Sequence, residues 1–156
     1  MVRTVTVLAL MLGACSDSNA RSPGVSALAA LSAADRTVRW VADSTLIGDF
    51  DCDGTADSAF VGRGPTEIHV GVVGGARGAP TVLRFAIGAD QQAGVCTAAA
   101  VLAFESLDYD PAQLVGPLEG FQRSVRCKGL LLSDGQCDAV HIYWNDASRQ
   151  FDWWRL

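Results

Sequence analysis

Glu67-Ile68-His69-Val70-Gly71-Val72-Val73-Gly74-Gly75 and, shortly after it, Val82-Leu83-Arg84-Phe85-Ala86-Ile87 decide the fold. In the first run Ile68, Val70 and Val72 fall on one face and His69 on the other. In the second, Leu83, Phe85 and Ile87 repeat the pattern. A period of two is the period of a half-buried strand. Gly74-Gly75 reads as the turn after the first run, because glycine takes positive φ at no steric cost. The same language continues outward: Thr37–Val41, Ser58–Val61, Val101–Leu107, Val125–Leu132, Ala139–Trp144 and Gln150–Leu156 are further candidate strands. Asp134-Gly135 is the strongest hairpin signal. Gln92–Ala103 is balanced between helix and strand, because Thr97-Ala-Ala-Ala-Val-Leu-Ala suits either. The expected fold is mainly β, a small antiparallel sheet or sandwich domain with little helix, a propeller-blade-like sheet being one variant.

The chain has 156 residues, 49% of them hydrophobic and 19% charged, which describes one globular domain and excludes wholesale disorder. Twelve basic against 17 acidic side chains, a net charge of −5, lack the basic surface of a nucleic-acid binder. No apolar run reaches the roughly 18 residues of a membrane span.

The first residues set the compartment. Met1-Val-Arg-Thr is a short basic start, Val5–Leu12 is apolar, and Leu12-Gly13-Ala14-Cys15 follows at once, the layout of a signal peptide. The ending resembles the lipobox of bacterial lipoproteins, which implies cleavage before Cys15 and lipidation of that residue. Ser16 in place of Asp implies the outer membrane. An ordinary secretory signal that leaves Cys15 a plain thiol is the alternative. The organisation expected is a signal peptide over 1–14, a lipidated Cys15 with a flexible tether over 15–34, and a single β-rich domain over 35–156. Val25–Ala34, rich in Ala, Ser and Leu, reads either as a short helix packed on the domain or as more spacer.

Gly48-Asp49-Phe50-Asp51-Cys52-Asp53-Gly54-Thr55-Ala56-Asp57 carries the chemistry. Like charges so close repel by several kcal/mol per pair at an effective dielectric near 20, whereas a hard dication reverses the sign. Calcium takes six to eight oxygens, and this spacing supplies carboxylates from Asp49, Asp51 and Asp53, the Thr55 backbone carbonyl, and Asp57 to close the site, with Gly54 at the sharp turn. Calcium is therefore the expected cofactor. An EF-hand is disfavoured, since Phe60 stands where its closing Glu belongs and both flanks carry strand patterning.

The segment Ile47-Gly-Asp-Phe-Asp-Cys-Asp-Gly-Thr-Ala-Asp-Ser-Ala-Phe-Val61 resembles the calcium loop of FG-GAP and VCBS-type repeats. The resemblance implies an extracellular setting and a loop that braces two strands, in a family whose repeats often build propellers that bind proteins or carbohydrates. Cys52 departs from the pattern, which more often has Gly or Asn there. Asp134-Gly-Gln-Cys-Asp138 echoes the loop but puts Leu130 and Leu132 opposite Asp49 and Asp51, so it reads as a turn of similar shape that holds calcium poorly. A complete propeller needs at least four blades of four strands, more than one chain of this length supplies.

Cys52, Cys96, Cys127 and Cys137 predict two disulfides in an oxidising compartment. All three connectivities stay open; loop length mildly favours 52–96 with 127–137, whereas a tight hairpin at Asp134-Gly135 would hold Cys137 away from Cys127. Trp144, Trp153 and Trp154, with Tyr143 and Phe151, read as a core closed by the last strand, one of the paired tryptophans facing outward as a contact residue. His69 and His141 read as solvent-facing strand positions. No nucleophile elbow, zincin, phosphate-loop or dinucleotide motif is present. The function expected is a lipid-anchored, non-enzymatic envelope module stabilised by calcium, attached to the membrane by its N-terminal lipid and partnered by an envelope protein or glycan. The domain would stand in the periplasm or at the cell surface. The alternatives are an inhibitor or immunity-type lipoprotein that masks a basic target, and a small envelope hydrolase using Asp108, Asp110 or His141.

Overall fold

The structure is a computed structural model and describes residues 23–75, 79–88 and 94–156. Cys15 and the signal segment lie outside the described residues. The protein is mainly β, with two antiparallel sheets. In the first, β3 (Asp57–Arg63), β4 (Glu67–Val73) and β5 (Pro80–Ala86) form consecutive hairpins. The short β1 (Arg39–Trp40) and β2 (Leu46–Gly48) lie end to end along the outer edge of β3, separated by a 3-10 turn at Ala42–Ser44. The second sheet runs in order β6 (Val101–Leu107), β7 (Ser124–Ser133), β8 (Val140–Asn145), β9 (Gln150–Trp154).

The core fills the space between the sheets, as alternation demands. Ala59 and Val61 of β3, Ile68, Val70 and Val72 of β4, and Phe85 of β5 meet Leu102, Leu130, Leu132, Val140 and Ile142 from the second sheet. Phe85 and Ile68 are fully enclosed, and burial of a side chain of this size stabilises by about 2–3 kcal/mol. Trp144 and Trp153 also face inward, Trp153 edge-on to Phe85 and Trp144 edge-on to Phe151.

Both outer faces are covered, which corrects two sequence readings. Helix α1 (Pro23–Ala34) lays Ala27 and Leu31 against Phe60 and Val73, so the helical alternative for Val25–Ala34 is the one observed and the folded unit takes in residues before Asp35. Gly62 and Gly71 make the close approach feasible: a Cβ at Gly71 would stand 2.6 Å from Leu31 and 2.7 Å from the Trp40 ring. His69, expected to face solvent, is instead only 4% exposed beneath this layer, edge-on to Trp40. On the other sheet the segment after β6, including the one-turn helix α2 (Ala112–Val115), folds back so that Tyr109, Leu118 and Phe121 cover Leu107, Tyr143 and Trp154. Trp154, the outward tryptophan, is therefore a buried residue rather than an exposed contact, stacked on His141 at 3.9 Å between ring centroids.

Two disulfides form, Cys52–Cys127 and Cys96–Cys137. The mild preference for 52–96 with 127–137 is overturned by strand geometry. Cys127 lies within β7 and Cys137 beyond its far end, and a strand rises about 3.3 Å per residue. The β7–β8 connection is an antiparallel hairpin, as expected, but it is wide rather than tight, since Leu132 pairs with Val140.

Candidate metal centre

The acidic loop joins β2 to β3 at one end of the sandwich. Its shape follows from short-range hydrogen bonding by aspartates to nearby amides, the usual behaviour of this residue in turns. Asp49 Oδ2 accepts from the Gly54 amide at 3.2 Å, Asp51 Oδ1 from the Asp53 amide at 3.2 Å, and Asp53 Oδ1 from the Thr55 amide at 2.8 Å. Gly54 at φ 86° allows the reversal, and Cys52 shares the left-handed region at φ 58°.

Asp57 is the anchor. It is 1% exposed at the first position of β3, and its Oδ2 accepts from the Phe50 and Asp51 amides at 2.8 and 3.3 Å. Its Oδ1 accepts from Gly75 at 3.0 Å. Gly75 was legible in sequence only as a turn residue. Its role here is close approach, because a Cβ at this position would collide with the Ala56 carbonyl oxygen. Phe50, fully buried between Asp49 and Asp51, drives the loop inward as a hydrophobic pin. A third tie comes from the second sheet, where the Lys128 amide donates to the Asp49 carbonyl at 2.9 Å beside the Cys52–Cys127 bond.

This wrapping brings one carboxylate oxygen each from Asp49, Asp51 and Asp57 within 4.8 Å of one another. Like charges at that separation repel by roughly 3 kcal/mol per pair at an effective dielectric near 20. A point equidistant from three oxygens no more than 4.8 Å apart lies within about 2.8 Å of each, close to the roughly 2.3–2.6 Å of calcium–oxygen bonds, so a small inward turn of the carboxylates would let one calcium ion reach all three. Asp49 Oδ1 is buried and has no hydrogen-bond partner among the described residues. An acceptor in that state costs about 1–3 kcal/mol unless something meets it. The residues therefore fit a hard cation held by Asp49, Asp51 and Asp57. The Asp53 carboxylate is not among the three that converge; it lies on the exposed shoulder of the loop, where the Thr55 hydroxyl donates to its Oδ1 at 2.5 Å.

The remaining sequence candidates have structural partners. Asp108 pairs with Arg123 at 2.7 Å, and Asp110 accepts from the Ala112 amide at 3.0 Å to open α2. His141 Nδ1 lies 2.6 Å from Glu105 Oε1, which also accepts from the Tyr109 hydroxyl at 3.1 Å. Tyr109 is pushed above its ordinary range, by burial first and by the Glu105 charge second. In the echo loop, Asp134 accepts from the amides of Gln136, Cys137 and Thr97. Burial works against its ionisation, but those amides outweigh it and hold the carboxyl below its usual range. Asp134 thus shapes its own turn and ties it to the segment at Thr97. No family model matches the chain, and neither curated proteins nor solved structures give a match.

Proposed function

We propose that this protein is a calcium-braced binding or structural module of the bacterial cell envelope, exported by its N-terminal signal and anchored through lipid on Cys15. The observation that supports it most is the trio of Asp49, Asp51 and Asp57 oxygens within 4.8 Å, with Asp49 Oδ1 buried and unmet by any donor among the described residues. Asp49 directly follows β2 and Asp57 opens β3, so the trio belongs to one hairpin of the first sheet, whose loop is tied to the second sheet through the Lys128 amide and the Cys52–Cys127 bond. A cation shared by them fixes the shape of that loop and with it the loop's attachment to the second sheet at this end of the sandwich. The two disulfides are in keeping with an oxidising compartment. The reading is non-enzymatic, and its partner is an envelope protein or glycan.

Thermal unfolding tests the calcium part. With dissociation constants of about 10⁻⁴–10⁻³ M, as in extracellular modules, a few millimolar free calcium stabilises by about 1–2 kcal/mol. Asp51→Asn removes most of that gain. Identical melting curves in calcium and in chelator defeat the reading. Anchoring is tested separately: Cys15→Ala moves the protein from the membrane fraction to the soluble one, and an unchanged distribution counts against lipidation.

A further inference from the structure

Cys52 stands in the middle of the acidic loop, between Asp51 and Asp53, in a backbone conformation that L side chains rarely adopt. Its sulfur is bonded to Cys127 of β7, with the Cα atoms 5.2 Å apart, and the next residue on β7, Lys128, donates its amide to the Asp49 carbonyl at 2.9 Å. The loop segment that presents Asp49 and Asp51 is thus fastened to the second sheet at two adjacent points. Asp57, the third oxygen donor, belongs to β3 of the first sheet. The cluster sits on the β2–β3 hairpin, and the covalent tie governs where the half of the loop that carries Asp49 and Asp51 lies. Cys52 is exposed and Cys127 is buried, so the bond is open to attack from the Cys52 side.

We propose that the Cys52–Cys127 disulfide is a redox control on calcium affinity, holding the loop in its binding shape when oxidised and releasing it when reduced. This rests on the calcium reading above. The reductant is a dithiol. Its thiolate attacks Cys52 Sγ, the Cys52–Cys127 bond breaks, and Cys127 leaves as a thiolate that takes up a proton. The reductant's second thiol then attacks its own sulfur in the mixed disulfide, releasing Cys52 as a thiol and closing a cyclic disulfide. The protein gains two electrons and two protons, and the dithiol loses them. With the bond cut, Cys52 can leave positive φ, and mutual repulsion of the Asp49, Asp51 and Asp57 carboxylates opens the cluster. By linkage, the factor by which oxidation tightens calcium binding equals the factor by which calcium protects the bond. Cys96–Cys137 joins the β7–β8 loop to the segment after Val95, and neither of its cysteines hydrogen-bonds to the acidic loop's carboxylates. It serves as the internal control.

The experiment equilibrates the full chain in graded dithiothreitol redox buffers, with chelator or with saturating calcium, and quantifies each disulfide by thiol labelling and mass spectrometry. Calorimetric calcium titrations of the oxidised chain and of the Cys52→Ser/Cys127→Ser double variant accompany it. The expected result is calcium binding about tenfold weaker without the bond. The reduced-to-oxidised dithiol ratio for half-reduction of Cys52–Cys127 rises by about the same factor in calcium, and Cys96–Cys137 does not move. The redox titration uses the unaltered chain and so does not depend on the variant folding. If the oxidised chain binds calcium but the reduction profile of Cys52–Cys127 is the same with and without it, the coupling is overturned and the calcium reading stands. If the oxidised chain takes up no calcium, that reading fails and the inference fails with it.

Discussion

Replacing Asp57 by Asn tests the loop's structural demand for this side chain. The change is nearly isosteric, so it tests hydrogen bonding rather than packing. Asp57 accepts three amides, from Phe50 at 2.8 Å and Asp51 at 3.3 Å on one oxygen and from Gly75 at 3.0 Å on the other. Asparagine can keep only one oxygen. Turned to retain the buried Phe50 and Asp51 donors, it points its NH₂ at the Gly75 N–H and loses a hydrogen bond to a charged acceptor, worth about 1.5–3 kcal/mol. The two bonds that remain fall from charge-assisted to neutral, each to about half its strength, which adds roughly 1 kcal/mol. These losses total about 3 kcal/mol; in chelator they are opposed by relief of the repulsion from Asp49 and Asp51, roughly 3 kcal/mol per pair before solvent screening, so they are read in saturating calcium, where the parent's repulsion is already quenched. For a domain of this size that loss lowers Tm by about 10 °C and shifts the urea midpoint at unchanged m-value. A variant that melts within 1–2 °C of the parent in saturating calcium refutes the claim that amide acceptance by Asp57 shapes the loop.

Acid should weaken the domain through His69, whose folded pKa lies below the ordinary 6.5 because burial disfavours the imidazolium, Glu67 opposing and Arg84 reinforcing the shift. Between the folded value and 6.5 the unfolded chain binds more protons. Stability from this group is therefore complete above about pH 6.5 and is lost as pH falls toward the folded pKa, at no more than about 1.4 kcal/mol per pH unit. His69→Gln should flatten that part of the stability profile measured by urea unfolding between pH 5 and 7; an unchanged slope assigns the acid sensitivity elsewhere. Gly71→Ala should cost about 1–3 kcal/mol by driving a methyl group into Leu31 and Trp40, and a melting temperature equal to the parent's would show that α1 does not depend on that close approach.

The strand reading carried far because alternation is a local property. Ile68, Val70 and Val72 alternate with His69 and Gly71 whatever covers them, so the mainly β class and most strand positions follow from nearest-neighbour chemistry. β1 and β2 are short edge strands with too few residues to show a period, and only Leu46–Gly48 pairing with Asp57–Ala59 defines the second of them. The acidic loop was legible for the same reason as the strands: its aspartates bond to amides a few residues away, and its glycine sits where the chain reverses.

What the sequence by itself determined is therefore the period, the turn chemistry and the concentration of negative oxygens between Asp49 and Asp57. The tertiary structure alone decided which oxygens converge and which cysteines meet. Asp57 joins Asp49 and Asp51 because Phe50 is buried between the sheets and Gly75 comes from a different hairpin. Cys52 meets Cys127 because the loop lies beside β7. His69 and Trp154 are covered by α1 with Trp40 and by the segment after β6. Alternation places a side chain on one face of a sheet or the other, but whether that face meets water depends on segments distant in sequence, and spacing along the chain does not encode their docking.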